Sequence, residues 1–222
     1  MASHLEQLSA GIIERLTSTS QVRDRALGDC RKIVRWSANS VRASHRGDSD
    51  EARHELREAR ALALAVCGYT TEMPSVFWAG YVQDAMKEYA EAAIMNAIVS
   101  GLPIPSPADL NVEDAAYLNG LAEAASELRR DALDVLRGEN LDRAMQLLGT
   151  MDEIYAVLIS IDFPDAITGG LRRTTDSLRA VLERTRGDLT VTINQRRLED
   201  AVRAIQPLLE TPALSRPDDP AV

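Results

Sequence analysis

Glu88 and Glu91 stand three residues apart in Gln83-Asp84-Ala85-Met86-Lys87-Glu88-Tyr89-Ala90-Glu91-Ala92, within the most apolar stretch of the chain, Val76 to Val99. On a helix that spacing puts both carboxylates on one face, and Asp84 lengthens the stripe by a turn. An unpaired carboxylate is costly to remove from water, so such a face needs either a basic side chain or a metal ion as partner. A second acidic stripe, Glu123, Glu127 and Asp131, follows at four-residue steps. If the two helices pack antiparallel, the stripes face one another across a cavity. All-oxygen ligation of that kind selects Mg²⁺ or Mn²⁺ over softer metals. The competing reading is a pair of solvated faces with local ion pairs, Lys87 to Glu91 and Arg130 beside Glu127. Spacing alone leaves both open. It does exclude a di-iron carboxylate bundle, which needs Glu-x-x-His pairs; the histidines are His4, His45 and His54, away from the acidic helices.

A basic constellation precedes the acidic ones. Arg31, Lys32, Arg35, Arg42 and Arg46 occupy the second half of the first helical segment, and Arg31, Arg35, Arg42 and Arg46 share one face. Such a stripe suits a phosphate backbone, with His45 beside it as a phosphate or base contact or a helix cap. An ordinary solvated face explains the same spacing, because Asp24 and Asp29 are interspersed. No Gly-x-Ser-x-Gly and no Gly-rich phosphate loop occurs, so nucleophilic and nucleotide-loop chemistry find no support.

These stripes need long helices to carry them. Leu5, Leu8, Ile12, Leu16, Thr19, Val22, Ala26, Cys30, Ile33 and Ser37, apolar or small, recur at three- and four-residue steps, which predicts one very long first helix with a bend at Ser18-Thr19-Ser20. Gly47 suits its end, and Asp48 or Ser49 suits the cap of a second helix reaching Cys67. A third helix is expected from Met73-Pro74-Ser75 to Ser100. The Pro-rich run Gly101 to Pro107 breaks it. A fourth runs from Asp109 or Asn111 to Arg137, a fifth from Asn140 to Ile161, and a sixth from Phe163 to Gly187 with an interruption at Gly169-Gly170. Leu189 to Ile193 alternates like a strand, yet Leu198, Ala201, Val202 and Ile205 resume a helical period, so a seventh helix is expected. The prediction is a single all-α bundle of six or seven helices over residues 1–206, with a disordered tail over 207–222.

Composition limits the partners. A net charge of −9 argues against a generic nucleic-acid binder, but all basic residues except Lys32 and Lys87 are arginine, whose planar fork matches phosphate. Cys30 and Cys67 have no metal or redox spacing and read as buried thiols. No signal pattern and no window approaching the roughly 20 apolar residues of a membrane span is present. A cytoplasmic protein with no membrane partner is expected.

At this point a family resemblance becomes specific. Cys30-Arg31-Lys32-Ile33-Val34-Arg35-Trp36-Ser37, followed by Val41-Arg42-Ala43-Ser44-His45-Arg46-Gly47, resembles the first-helix signature of the translin family. Lys87-Glu88-Tyr89-Ala90-Glu91-Ala92 resembles the matching segment of its catalytic branch, translin-associated factor X. Tyr117-Leu118-Asn119-Gly120-Leu121-Ala122-Glu123-Ala124-Ala125-Ser126-Glu127-Leu128 is similar to the next block, and the likeness covers residues 5 to 206. It implies a seven-helix protomer assembling into hollow, barrel-like octamers, here of an archaeal, homo-oligomeric type, that bind RNA or single-stranded nucleic acid. In the catalytic branch RNA is cut inside the barrel with Mg²⁺. The resemblance makes Glu88, Glu91, Glu123 and Glu127 the catalytic set, with Glu88, Glu91 and Glu123 holding metal. Arg31, Lys32, Arg35, Arg42, His45 and Arg46 become the RNA contacts. Two departures stand out. Glu123 occupies an aspartate position of the catalytic branch. Thr70 to Trp78 replaces the histidine-rich basic segment found in translin. The alternatives are an oligomer that binds RNA or single-stranded DNA without cutting it, and an all-α nucleotide pyrophosphatase, whose second acidic pair would be spaced by three rather than four.

Overall fold

A computed structural model describes the backbone of residues 4–209 and the side chains of residues 4–205. Among the described residues the chain is built of helices joined by short connections, with no strand. Six long helices carry the fold: α1 (His4–His45), α2 (Ser49–Thr70), α4 (Gly80–Val99), α6 (Asp114–Arg137), α7 (Leu141–Ile159) and α9 (Leu171–Leu209). Three single turns lie between them, α3 (Pro74–Phe77), α5 (Pro107–Leu110) and α8 (Asp165–Thr168). None of the helices is long and apolar enough to cross a membrane.

α1 is 42 residues long. It runs unbroken through Ser18-Thr19-Ser20, where the Thr17 and Thr19 hydroxyls donate to the carbonyls of Ile13 and Arg15 one turn back. It stops as expected: Gly47 takes φ +75°, and the Asp48 carboxylate accepts from the Glu51 amide at 3.0 Å, capping α2. Gly68 does not end α2. It sits exposed inside the helix, which continues to Thr70.

α4 is the hub, buried on most sides by α1, α2 and α6. The expected third helix is divided between α3 and α4 at Trp78-Ala79, where Ala79 is extended. The expected fourth helix begins later, at Asp114, because Asn111 enters the left-handed region at φ 55° and turns the chain. α4 and α6 pack parallel rather than antiparallel. Trp78 and Asp114, just before and at the helix starts, line one recess. Lys87 then meets Glu123, and Arg143, just beyond α6, donates to the Ile98 carbonyl at the end of α4. Parallel neighbours need a long return path; residues 100–113, at about 3.3 Å each when extended, span the roughly 30 Å of α4. The approach is close. A Cβ on Gly120 would lie 2.7 Å from the Lys87 carbonyl oxygen and 3.0 Å from the Glu91 amide nitrogen, so only glycine fits there.

The interruption at Gly169-Gly170 is real, with φ of +62° and +84°. The separate seventh helix is not. α9 runs 39 residues through Gly187 and the strand-like segment. Leu178, Leu182 and Leu189 bury on one side of it, and that stripe, with Thr185 between, overrides the local β-branching. The expected tail starts too early at 207, since α9 reaches Leu209; residues from 210 onward lie outside the described residues.

Candidate functional site

Lys87, Glu88 and Glu91 are the polar interruption of α4's buried surface, and all three are half-buried. Across from them α6 presents Glu123. Carboxylate oxygens of Glu88, Glu91 and Glu123 lie within 4.8 Å of one another. Lys87 pairs with Glu88 at 3.1 Å and more closely with Glu123. The local pair with Glu91 expected from i,i+4 spacing does not form, because the α4–α6 seam offers the ammonium two carboxylates at once. Asp84 is exposed and joins no ion pair among the described residues.

One cation among three carboxylates leaves the cluster short of positive charge. Glu91 bears the consequence. Its burial, with Glu88, Glu123 and Glu127 close by, pushes its pKa up to about 8. Burial pulls the Lys87 pKa down, but its bond to Glu123 and the charges of Glu123 and Glu88 outweigh that and hold it above the ordinary value.

The cluster opens into a cleft of about 250 Å³ lined by Ser37, Ala38, Val41, Arg42 and His45 of α1, Glu88 and Glu91 of α4, and Glu127 and Arg130 of α6. Arg42 and Arg130 are both exposed at its rim. Glu127 is not part of the three-carboxylate cluster. Its Oε2 lies 3.1 Å from His45 Nε2, and the ring's Nδ1 lies 3.0 Å from Asp131 Oδ1. Bonds to Asp131 and Glu127 outweigh burial and raise His45 to about 9, so the ring is an imidazolium at neutral pH. The His45 bond in turn lowers Glu127. Only 2% of the His45 side chain is exposed, which withdraws it from the basic stripe in which the sequence placed it.

The remaining basic residues divide. Arg31 and Arg35 are exposed and make no ion pair among the described residues. Lys32 pairs with Asp29 at 3.0 Å and Arg46 with Glu51 at 2.6 Å, while Arg42 donates to Asn39 at 2.5 Å. Arg42 alone of the stripe reaches the cleft. Three features were missed by reading the sequence: Gly120, the cross-helix role of Lys87, and Arg130 at the rim. Gly120 left one signal, since a glycine inside a helix costs about 1 kcal/mol against alanine and so implies a packing reason.

An all-oxygen donor set, partly buried and undercompensated by Lys87, fits a hard divalent cation. The cleft above it combines apolar walls with two arginines, a chemistry suited to a phosphate ester.

Comparison with known proteins places this arrangement. No family model matches the sequence. An uncharacterized protein of Methanocaldococcus jannaschii is 28% identical over 197 residues, covering 88% of this chain and 87% of that protein. The AfC3PO–duplex RNA complex superposes with a TM-score of 0.79 at 33% identity, covering 84% of this chain and 97% of that one. A crystal structure of AfC3PO gives 0.78 at the same identity and coverage. The apo form of NeC3PO shares the fold at a TM-score of 0.75 and 19% identity, with 86% and 98% covered. C3PO is a translin and translin-associated factor X assembly, and on these similarities the chain belongs to the translin family.

Proposed function

We propose that this protein is an RNA-binding, divalent-metal-dependent endoribonuclease that works as a homo-oligomer, on the octameric plan of its family, in the cytoplasm. The observation that carries the reading is the convergence of Glu88, Glu91 and Glu123 beneath a cleft rimmed by Arg42 and Arg130. Glu88, Glu91 and Glu123 would hold Mg²⁺ or Mn²⁺, which when bound supplies Lewis-acid activation of water and offsets charge on the phosphate. Arg42 and Arg130 bind and orient the phosphodiester, with Arg31 and Arg35 extending the track along α1. Glu127, already ionised against His45, accepts a hydrogen bond from the attacking water and orients it. Val41 and Ala38 exclude bulk water from one wall. RNA bound to the related AfC3PO supports the substrate class.

Assembly is supported by α1 itself. Leu5, Leu8, Ile12 and Leu16 are between 48% and 75% exposed on one side of the helix, and an apolar stripe of that length needs a cover. Light scattering reads this directly, and a monomer would remove the barrel.

A specific observation favours a second reading. The Lys87 ammonium already bridges Glu88 and Glu123, as it would in a site that sequesters RNA without metal. One experiment separates the two: a labelled single-stranded RNA of about 20 nucleotides, two turns of duplex in length, incubated with wild type and Glu91→Gln in Mg²⁺ or chelator. Hydrolysis predicts metal-dependent cutting that falls about 10²–10⁴-fold in the variant, with binding retained. Binding without cutting by either protein establishes sequestration.

A further inference from the structure

The histidine cluster on the other side of the cleft is built too deliberately for an ordinary helix end. His45 is the last residue of α1, where the helix dipole already favours a cation. A histidine there usually faces water. This ring is 2% exposed and uses both nitrogens on α6, whereas Glu127 keeps 44% of its side chain exposed to the cleft. Asp131 is 13% exposed, and its second oxygen, Oδ2, is buried with no hydrogen-bond partner among the described residues. A carboxylate that tolerates such an orphaned oxygen holds the ring at a cost. The charged groups facing the ring are Glu127, Asp131 and Arg130 from α6, with Glu88 and Glu91 of α4 and Arg42 of α1 sharing the cleft.

Building on the hydrolytic reading, we propose that His45 is a positioning residue: anchored by Asp131, it clamps the Glu127 carboxylate, ionised and fixed in direction, at the lip of the acid cleft. Glu127 then serves as an oriented hydrogen-bond acceptor for water. The arrangement follows the carboxylate–histidine pattern by which an outer partner fixes the direction of an inner group. It also gives Asp131 a purpose that neither metal ligation nor RNA contact supplies.

The test combines turnover with a direct view of the ring. Wild type, His45→Gln, Glu127→Gln and the double variant are compared in single-turnover cleavage of single-stranded RNA with Mg²⁺, and in RNA binding with chelator. Imidazole NMR titrations are run on wild type, Glu127→Gln and Asp131→Asn, with only three histidines in the chain to assign. The clamp predicts a ring titrating well above 7 in wild type and falling toward the ordinary value of about 6.5 in the two carboxylate variants. It predicts turnover about 10–100-fold slower in His45→Gln, RNA affinity within about twofold, and a double variant no slower than Glu127→Gln alone. A ring with an ordinary titration, additive losses, or a loss that falls on RNA binding overturns the proposal. A wild type that binds RNA without cutting it overturns the hydrolytic reading instead; a raised ring titration in that case assigns the cluster to holding α1 against α6.

Discussion

Two carboxylate clusters lie side by side along α6, and they are built to opposite ends. At Glu88, Glu91 and Glu123, three acids share the single ammonium of Lys87, and Glu91 is left with a pKa of about 8. At Glu127 and Asp131, two acids share one imidazolium with a bond to each ring nitrogen, and Glu127 is lowered instead. The same residue types a turn apart therefore differ in what they lack. The first leaves Glu91 without a cation of its own, whereas the second ties each acid to its own nitrogen of one imidazolium. The lesson is that clustered acids announce a metal only when the fold has withheld part of the charge they need.

The largest effect that would break this contrast is steric. Gly120→Ala sets a Cβ 2.7 Å from the Lys87 carbonyl oxygen, and a helix backbone cannot yield as a flexible side chain does. We expect a loss of about 1–3 kcal/mol in denaturant unfolding, together with lost metal response as the α4–α6 seam widens. Stability within 0.5 kcal/mol of wild type, the ordinary spread for a surface change, would show the seam to be looser than described.

Removing Lys87 sharpens the contrast. Lys87→Met keeps much of the stem and takes away the ammonium that bridges Glu88 and Glu123. Mg²⁺ affinity measured by calorimetry should rise about tenfold, roughly 1.4 kcal/mol, while the His45 cluster titrates unchanged. Weaker Mg²⁺ binding would mean that Lys87 organises the carboxylates rather than competing for them.

The smallest effect is on the pH dependence of melting without metal. Glu91 has a folded pKa raised above the ordinary 4.5, so its contribution is fullest below that value and is lost as pH rises through about 8. His45 is likewise raised, and its contribution is complete below 6.5 and lost as pH passes about 9. Both signs agree. The melting temperature should fall between pH 7 and pH 9 by a few degrees, at about 2–4 °C per kcal/mol for a chain of this size. Mg²⁺ should reverse the Glu91 share, and Glu91→Gln should abolish that share alone. A flat profile over this window would remove the distinction between the clusters.

Much of this was legible in the residues because it is local. The α1 repeat from Leu5 to Ile33, the stop at Gly47, the cap at Asp48 and the break at Gly169-Gly170 follow from backbone geometry within a few residues. That Glu88 and Glu91 share a helix face is equally local, and the translin-like blocks gave the fold its family. The errors lie where one segment had to choose a partner. Leu189 to Ile193 has strand-like alternation, yet the buried Leu182 and Leu189 carry α9 straight through it. Lys87 was within reach of Glu91 on its own helix and went instead to Glu123 on the next. His45, read as part of a basic stripe, turned inward to Glu127 and Asp131.

The sequence by itself determined most of the helices and the acidic stripes on them. Only the tertiary structure decided that α4 and α6 run parallel, that three of the acids converge while Glu127 is drawn aside, and which arginine of α1 reaches the cleft. The reason is range. Helix periodicity is set by hydrogen bonds between residues a turn apart, whereas the charge balance of a buried site is set by whichever faces meet across 8–10 Å of packed helix.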